Sequence, residues 1–328
     1  MKKLLSAGLC LSMFLLAGCQ GQPQDTTLTI TDQAGREVTF EEPCQTAASG
    51  YYITTTIMIG LQQQDKLTGI EMKPETRPIY AKAAEEILDL PQLGNKKMFN
   101  VEECAKADPD VVFLPVSLES YVEELEALDI PVVLLEPETA DDFEEAVEII
   151  GKVMGCEDKV EEYKQYEEDL LEKYELDEVE EEPTVYFAGS DLLTCATDDM
   201  YQGEILSYAQ ADNAIDAEGS SWVNIDIETL LAANPDYVFI EAGSLSADDF
   251  KNDARVQELQ AVQNDHVYVF PSTLETWDTP SLSSCLGKLW AASILHPELV
   301  SMDDVEAEAV AFYEQFYGFT PEAQDLAL

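Results

Sequence analysis

NVEECAKADPDVVF (Asn100–Phe113) returns 126 residues later as DIETLLAANPDYVF (Asp226–Phe239), and this pair of stretches decides the fold. Between Val101–Phe113 and Ile227–Phe239, six of thirteen positions are identical: Glu, Ala, Pro, Asp, Val and Phe. Asn100 and Asp226 stand where a helix N-cap belongs, because their side-chain oxygens can accept a free amide of the first turn. Each helix runs to Ala107 or Ala233. It stops before Pro109 or Pro235, since the residue preceding a proline is disfavoured in the helical region. A short apolar strand follows. Each half of the chain thus carries the same helix–turn–strand unit, which predicts two similar lobes with a cleft between them, a favoured place for ligands.

Working outward, strand-like and helix-like runs alternate. TLTITDQAGREVTF (Thr27–Phe40) reads as a β-hairpin turning at Gln33-Ala34-Gly35. Strands are predicted at Asp110–Leu114, Ile130–Leu135, Thr184–Ala188, Tyr237–Ile240 and His266–Phe270. Helices are predicted at Thr54–Leu61, Ile79–Leu88, Leu118–Leu128, Leu282–Leu295 and Val305–Phe316. Short apolar strands separated by helices indicate an α/β fold with small parallel sheets. From Asp141 to about Tyr174 the pattern stays helical apart from the Gly155 region, and Glu157–Tyr174 is apolar on one side and charged on the other. This predicts a long connecting helix, ended by EVEEEP (Glu178–Pro183). The alternative is one large α/β domain carrying a surface helix.

The chain opens MKKLLSAGLCLSMFLLAGCQ. Lys2 and Lys3 form a basic n-region, and Leu4 to Leu16 an apolar run too short to span a membrane. Leu16-Ala17-Gly18-Cys19 resembles the bacterial lipobox, which implies cleavage before Cys19 and acylation of its thiol. The expected layout is a lipoprotein signal peptide (1–18), a tether (19–27), an N-terminal lobe (28–140), a connecting helical region (141–176) and a C-terminal lobe (183–328).

The 328 residues carry 17 Lys+Arg against 67 Asp+Glu, a net charge of −50. Such a surface excludes nucleic acid as a partner, because phosphate binding needs basic side chains. A hydrophobic fraction of 46% is that of a folded protein. Beyond Cys10 and Cys19, the cysteines (Cys44, Cys104, Cys156, Cys195 and Cys285) show no CxxC spacing and read as small buried apolar residues, not as a zinc or iron–sulfur site. There is no GxSxG, HExxH or glycine-rich phosphate loop, so enzymatic chemistry is not expected. With 67 carboxylates, a carboxylate-dependent hydrolase stays open on counting alone, as does a surface lipoprotein with an adhesive role.

Glu102 and Glu228 fall in the first turn of the paired helices, where a carboxylate already complements the helix dipole by about 0.3–1 kcal/mol. Taken with the opening hairpin, the two units, the connector and the tail WDTPSLSSCLGKLWAASILHPEL (Trp277–Leu299), the chain resembles the helical-backbone (class III) solute-binding proteins of ABC importers for iron–siderophore, haem and cobalamin. The resemblance covers nearly the whole chain after Cys19. It implies two Rossmann-like lobes joined by one backbone helix, little hinge motion, and one acidic residue per lobe docking onto the permease. Glu102 and Glu228 align with those acids. The partners it implies are a permease dimer with its ATPase subunits and a small metal-chelate ligand. The protein would be a monomer, held to the extracytoplasmic membrane face only by its lipid, with no cofactor beyond the iron or cobalt of the ligand.

Candidate ligand contacts sit after strands or before the paired helices: Tyr51 and Tyr52 in SGYY, Arg77 in MKPETRP, Met98 and Phe99 in KKMF, Trp222 in SSW and Trp277 in LETW. Aromatic rings offer flat apolar area to a macrocycle or a catechol. Arg77 and Lys97 are scarce cations in an acidic chain and suit an anionic ligand. Trp290 lies on an apolar helix face and reads as core. The two histidines, His266 and His296, are isolated, which argues against a bare metal ion and against histidine-ligated haem, though Tyr51 or Tyr52 could ligate haem iron. An iron complex, ferric siderophore or haem, is the expected cargo, with cobalamin second.

Overall fold

The computed structural model describes residues 27–176, 179, 181–217, 219, 221–326 and 328. The expected signal peptide, Cys19 and the tether up to residue 26 lie outside these residues. The predicted hairpin forms β1 (Leu28–Thr31) and β2 (Glu37–Phe40), antiparallel, with Gly35 at a φ of 78° in the turn.

In the first lobe, β3 (Ala47–Ser49), β4 (Leu67–Gly69), β5 (Val111–Pro115) and β6 (Val132–Leu135) form a parallel sheet ordered β4-β3-β5-β6. The helices along this stretch are α1 (Tyr52–Gly60), α2 (Pro78–Ala83), α3 (Val101–Ala107) and α4 (Val122–Glu126). The second lobe repeats the plan with β7 (Thr184–Ala188), β8 (Thr194–Cys195), β9 (Asp212–Asn213), β10 (Val223–Asn224), β11 (Tyr237–Ile240) and β12 (Val267–Val269). Its order is β10-β8-β7-β11-β12, with β9 also on β7; β9, β7, β11 and β12 run parallel, and β8 pairs antiparallel with both β7 and β10. In each sheet the chain reverses its winding about the first strand, β3 or β7. Ligands in such sheets bind beyond the carboxyl end of the strand at this switch point.

The repeated stretch behaves as read. Asn100 accepts the Glu103 amide at 3.1 Å to cap α3, and Asp226 accepts the Thr229 amide at 2.8 Å to cap α8 (Ile227–Ala233). Both helices end in the left-handed region, at Asp108 (φ 50°) and Asn234 (φ 41°). The shared Pro-Asp then clamps the first strand of its lobe. Asp110 Oδ2 accepts the amides of Gln45 and Thr46 at 2.9 and 2.8 Å, while the Asp110 amide donates to Thr46 Oγ1 at 3.0 Å. Asp236 Oδ2 accepts the amide and hydroxyl of Thr184 at 3.0 and 2.8 Å, while the Asp236 amide donates to Thr184 Oγ1 at 3.1 Å. One reason for the repeat is therefore structural: it staples the helix–strand unit to β3 in one lobe and to β7 in the other.

The connector is a helical pair, α5 (Ala140–Met154) and α6 (Glu157–Lys173), broken at Gly155 with a φ of 64°. Lys164 reaching back to Glu144 and Glu148, and Gly151 lying against Val160, set the two helices antiparallel. Helix α7 (Tyr201–Tyr208) follows β8, and α9 (Ala247–Asn252) and α10 (Gln260–Gln263) lie between β11 and β12. At the end of the chain, α11 (Ser284–Leu295) is almost wholly buried, and α12 (Met302–Phe312) continues into a π turn, Tyr313–Tyr317. Helix α6 lies along α12, with Tyr166 5.7 Å from Phe312 and 5.2 Å from Phe316, and Lys173 paired with Glu308 at 2.5 Å. One apolar cluster runs through both lobes along these helices, and a smaller one covers the outer face of each sheet. Among the described residues, no helix is long and apolar enough to cross a membrane.

Candidate ligand cleft

The carboxyl ends of the two sheets are brought together. The Ile79 amide of one lobe donates to the Leu274 carbonyl of the other at 3.2 Å. Beside this contact a space of about 130 Å³ is walled on one side by Tyr52, Thr56 and Arg77 and on the other by Ser272, Glu275 and Thr279. A second space of about 380 Å³ opens over Gly50, Tyr51, Glu71, Lys96 and Lys97. Tyr52 and Arg77 line both, so they form the partition.

Local sequence builds this wall. β3 ends at Ser49, whose hydroxyl donates to the Tyr51 carbonyl at 2.8 Å and holds Tyr51 and Tyr52 at the head of α1. The Arg77 guanidinium stands 3.9 Å from the Tyr52 ring centre, and Lys96 Nζ lies 5.0 Å from that of Tyr51. Cations over ring faces are attracted by the π quadrupole. Of the three arginines, Arg36 is paired with Asp32 and Glu126 and Arg255 with Asp253, leaving Arg77 as the one at the cleft. Lys97 lines the larger space beside it.

On the opposite wall stands Glu275, and Glu241 and the buried Asp278 belong to the same lobe. Burial pushes the Glu241 carboxyl up, and it pushes Glu275 and Asp278 up to about 7 each. Burial also raises the Tyr52 phenol, offset in part by Arg77, and raises the Tyr51 phenol further. The cleft therefore presents cations and aromatic faces on the first lobe and the Glu275 carboxyl on the second.

Tyr51, Tyr52, Arg77 and Lys97 of the sequence reading meet in this cleft. Met98 and Phe99 line an adjoining depression of about 520 Å³ that also contains Met72 and Glu102; Met98 is exposed and Phe99 buried. Trp222 is half-buried, packed on Gly189 at the end of β7 and edge-on to Phe187, outside the two cleft spaces. Trp277 needs correcting as a ligand contact. It is 2% exposed, its indole N–H donates to Tyr313 at 3.0 Å, and its loop presses on Gly287 of α11, so the ring is core. Trp290 is core as read. Sequence reasoning missed Glu71 and Glu275, which line the cleft; single acids among 67 carry no signal of position. His296 is buried with Nε2 2.9 Å from the Ala209 carbonyl, and His266 stacks on Tyr237. The five cysteines from Cys44 onward are buried and unpaired. Among the described residues, no group of three or more His, Cys, Asp or Glu side chains is arranged to hold a metal.

A hollow of about 700 Å³ lies elsewhere, between the start of α5 and α7. Its lining includes Asp141, Glu182, Asp198, Asp199 and Asp212 but no cation or aromatic ring, so it lacks the groups that would recognise an anion.

A family model described as periplasmic binding protein matches residues 48–274. The molybdate-binding protein MolA of Haemophilus influenzae is 23% identical over 324 residues, covering 88% of this chain and 90% of that protein. Among solved structures, a periplasmic solute binding protein from Veillonella parvula matches with a TM-score of 0.77 at 21% identity, over 91% of this chain and 95% of that one. MolA of H. influenzae bound to molybdate matches at 0.76 and 21%, over 90% and 99%. CeuE of Helicobacter pylori in its Ni-His complex matches at 0.72 and 18%, over 91% and 97%. At these identities the structural likeness is one of fold.

Proposed function

This chain belongs to the periplasmic binding protein family, and we propose that it captures an anionic, metal-centred solute in the cleft and delivers it to the permease of an ABC importer. The observation that carries the reading is Arg77 laid over Tyr52 at the partition of the cleft, with Lys96 over Tyr51, in a chain of net charge −50. Partly exposed cations held on aromatic faces at a cleft suit an anion carried on a flat or apolar body. The cargo is an iron complex, a ferric siderophore or haem, with cobalamin as the alternative. The lipid at Cys19 holds the protein on the extracytoplasmic face, and Glu102 and Glu228 dock it on the two halves of the permease. No covalent step belongs to this role.

A second reading, a small oxyanion of the molybdate kind, is supported by the division of the cleft into two modest spaces and by the likeness to MolA. Titration calorimetry with ferric catecholate and hydroxamate chelates, haem, cobalamin, molybdate, tungstate and sulfate separates the two. Saturable binding of a ferric chelate, weakened about tenfold or more by Arg77→Ala, is the expected result. Tight molybdate binding would move the cargo to the second reading, and binding of none of the anions would sink both.

A further inference from the structure

The cleft arginine does not stand alone. Glu71 is buried, and its carboxylate sits at the centre of a compact polar cluster. Its Oε1 accepts the Tyr80 hydroxyl at 2.7 Å and faces Arg77 Nε at 3.4 Å. Its Oε2 accepts the Thr55 hydroxyl at 2.7 Å, and Thr55 is 2.8 Å from Ser49 Oγ at the end of β3. The backbone beside it is pinned too, by Ile70 N–H to the Pro91 carbonyl at 3.0 Å and Met72 N–H to the Gly94 carbonyl at 2.6 Å. The carboxylate is thus fixed from α1, α2 and the β4 edge, while the Arg77 side chain is 35% exposed. Glu71 takes Arg77 from the Nε side and Tyr52 supports the flat face of the guanidinium. No described residue takes a hydrogen bond from the two Nη groups.

We infer that Glu71 is the positioning residue of the ligand site: it locks Arg77 so that the Nη fork meets two oxygens of the cargo at once. This rests on the anion reading above and deepens it. A carboxylate so close to the guanidinium cancels much of its charge, so Glu71 would be a poor choice if the cleft attracted its cargo by charge alone. It is a good choice if the cleft selects by geometry. A planar fork held at one angle favours an anion that offers two adjacent oxygens, such as a carboxylate, a catecholate or hydroxamate edge on a metal, or one edge of an oxyanion. Holding the fork in advance also removes part of the ordering cost of binding.

The test has a ligand-free arm. A guanidinium stacked on Tyr52 places the Arg77 side-chain protons in the ring current of that residue. With only three arginines in the chain, arginine-selective labelling gives a spectrum that Arg77→Lys assigns. The wild type should show the Arg77 signals shifted upfield, and Tyr52→Leu should abolish the shift. Glu71→Gln, close to isosteric, should move the signals toward those of a free arginine, and Thr55→Val should move them part of the way. Arg77 signals in Glu71→Gln identical to wild type would overturn the positioning role. In the binding arm, the probe is whichever of ferric catecholate or molybdate the wild type takes up. Glu71→Gln and Arg77→Lys should each weaken it about tenfold, the latter despite its retained charge. Arg77→Lys within about twofold of wild type would overturn the fork. If neither probe binds while the spectra change as expected, the anion reading fails and the locking of Arg77 by Glu71 stands.

Discussion

Asp278 shows how one buried side chain couples stability to pH. It is fully buried; Oδ2 accepts the Ala242 amide at 2.9 Å, and its carbonyl accepts the Gln202 side-chain amide at 2.7 Å, while Oδ1 has no partner among the described residues. Burial, with Glu241 adding repulsion, pushes the carboxyl up to about 7, against about 3.9 in an unfolded chain. Between these values the folded state holds a proton that the unfolded state has released. The stability this provides is complete below about pH 4 and is lost as pH rises through about 7. Urea midpoints should therefore fall from pH 4 to pH 8, with Asp278 supplying on the order of 2–4 kcal/mol. Asp278→Asn, which mimics the neutral acid, should flatten that fall and be the more stable form at pH 8. Glu275 titrates in the same window and remains in both proteins, so the difference between the two curves isolates Asp278; parallel curves would refute the assignment. Legibility at this scale follows rarity. Arg77 stood out because arginine is scarce, whereas Asp278 and Glu71 were hidden among 67 acids. Trp277 misled because its neighbours Thr276, Asp278 and Thr279 read as an exposed loop, and nothing local reveals that the loop folds onto α11.

At the scale of elements, α11 explains where that loop goes. Gly287 sits in the middle of this buried helix, where propensity alone would prefer alanine by about 1 kcal/mol. A Cβ there would lie 2.0 Å from the Trp277 carbonyl oxygen and 2.9 Å from its carbonyl carbon. Backbone cannot step aside as a side-chain tip can. Gly287→Ala should therefore destabilise by about 2 kcal/mol or more, read as a lower urea midpoint; an unchanged or raised midpoint would show that the loop can yield. Elements with their own chemical signature were legible: the hairpin at Gly35, both N-capped helices ending before Pro109 and Pro235, and the apolar strands. Helices whose ends are set by packing were less so. Ile79–Leu88 divides into α2 and a 3-10 turn at Glu85–Asp89 because Ala84 takes an extended φ of −155°, and Leu118–Leu128 begins as a 3-10 turn before α4. Helix α12 ends in a π turn whose aromatic rings, Tyr313, Phe316 and Tyr317, pack into the shared core. The pattern did not reveal α7, because its buried positions, Tyr201, Gln202, Gly203, Ile205 and Leu206, run nearly consecutively instead of forming a stripe.

For the whole molecule, duplication is the organising fact, and it makes a demand on surface as well as core. The Pro-Asp of each unit is consumed by the staple to β3 or β7, but Glu102 and Glu228 are not. Both are exposed in the first turn of their helices; Glu102 pairs with Lys106 at 3.2 Å, and its side chain is 84% exposed. Dipole complementarity needs no particular acid: Glu103, and Asp226 itself, already supply negative charge at the two helix starts. A glutamate kept at the same place in both lobes is thus better explained by something outside the chain that repeats as the lobes do, as a two-fold permease would. If so, Glu102→Lys with Glu228→Lys should abolish uptake while leaving solute affinity within about twofold, because neither residue lines the two cleft spaces. The folding cost should be small, since exposed first-turn acids contribute only about 0.3–1 kcal/mol each. Each single reversal should impair transport less than the pair, because one lobe would still engage its half of the permease. Full transport by the double variant would reduce the repeat to a folding device; loss of solute binding with transport would place these acids in the cleft instead.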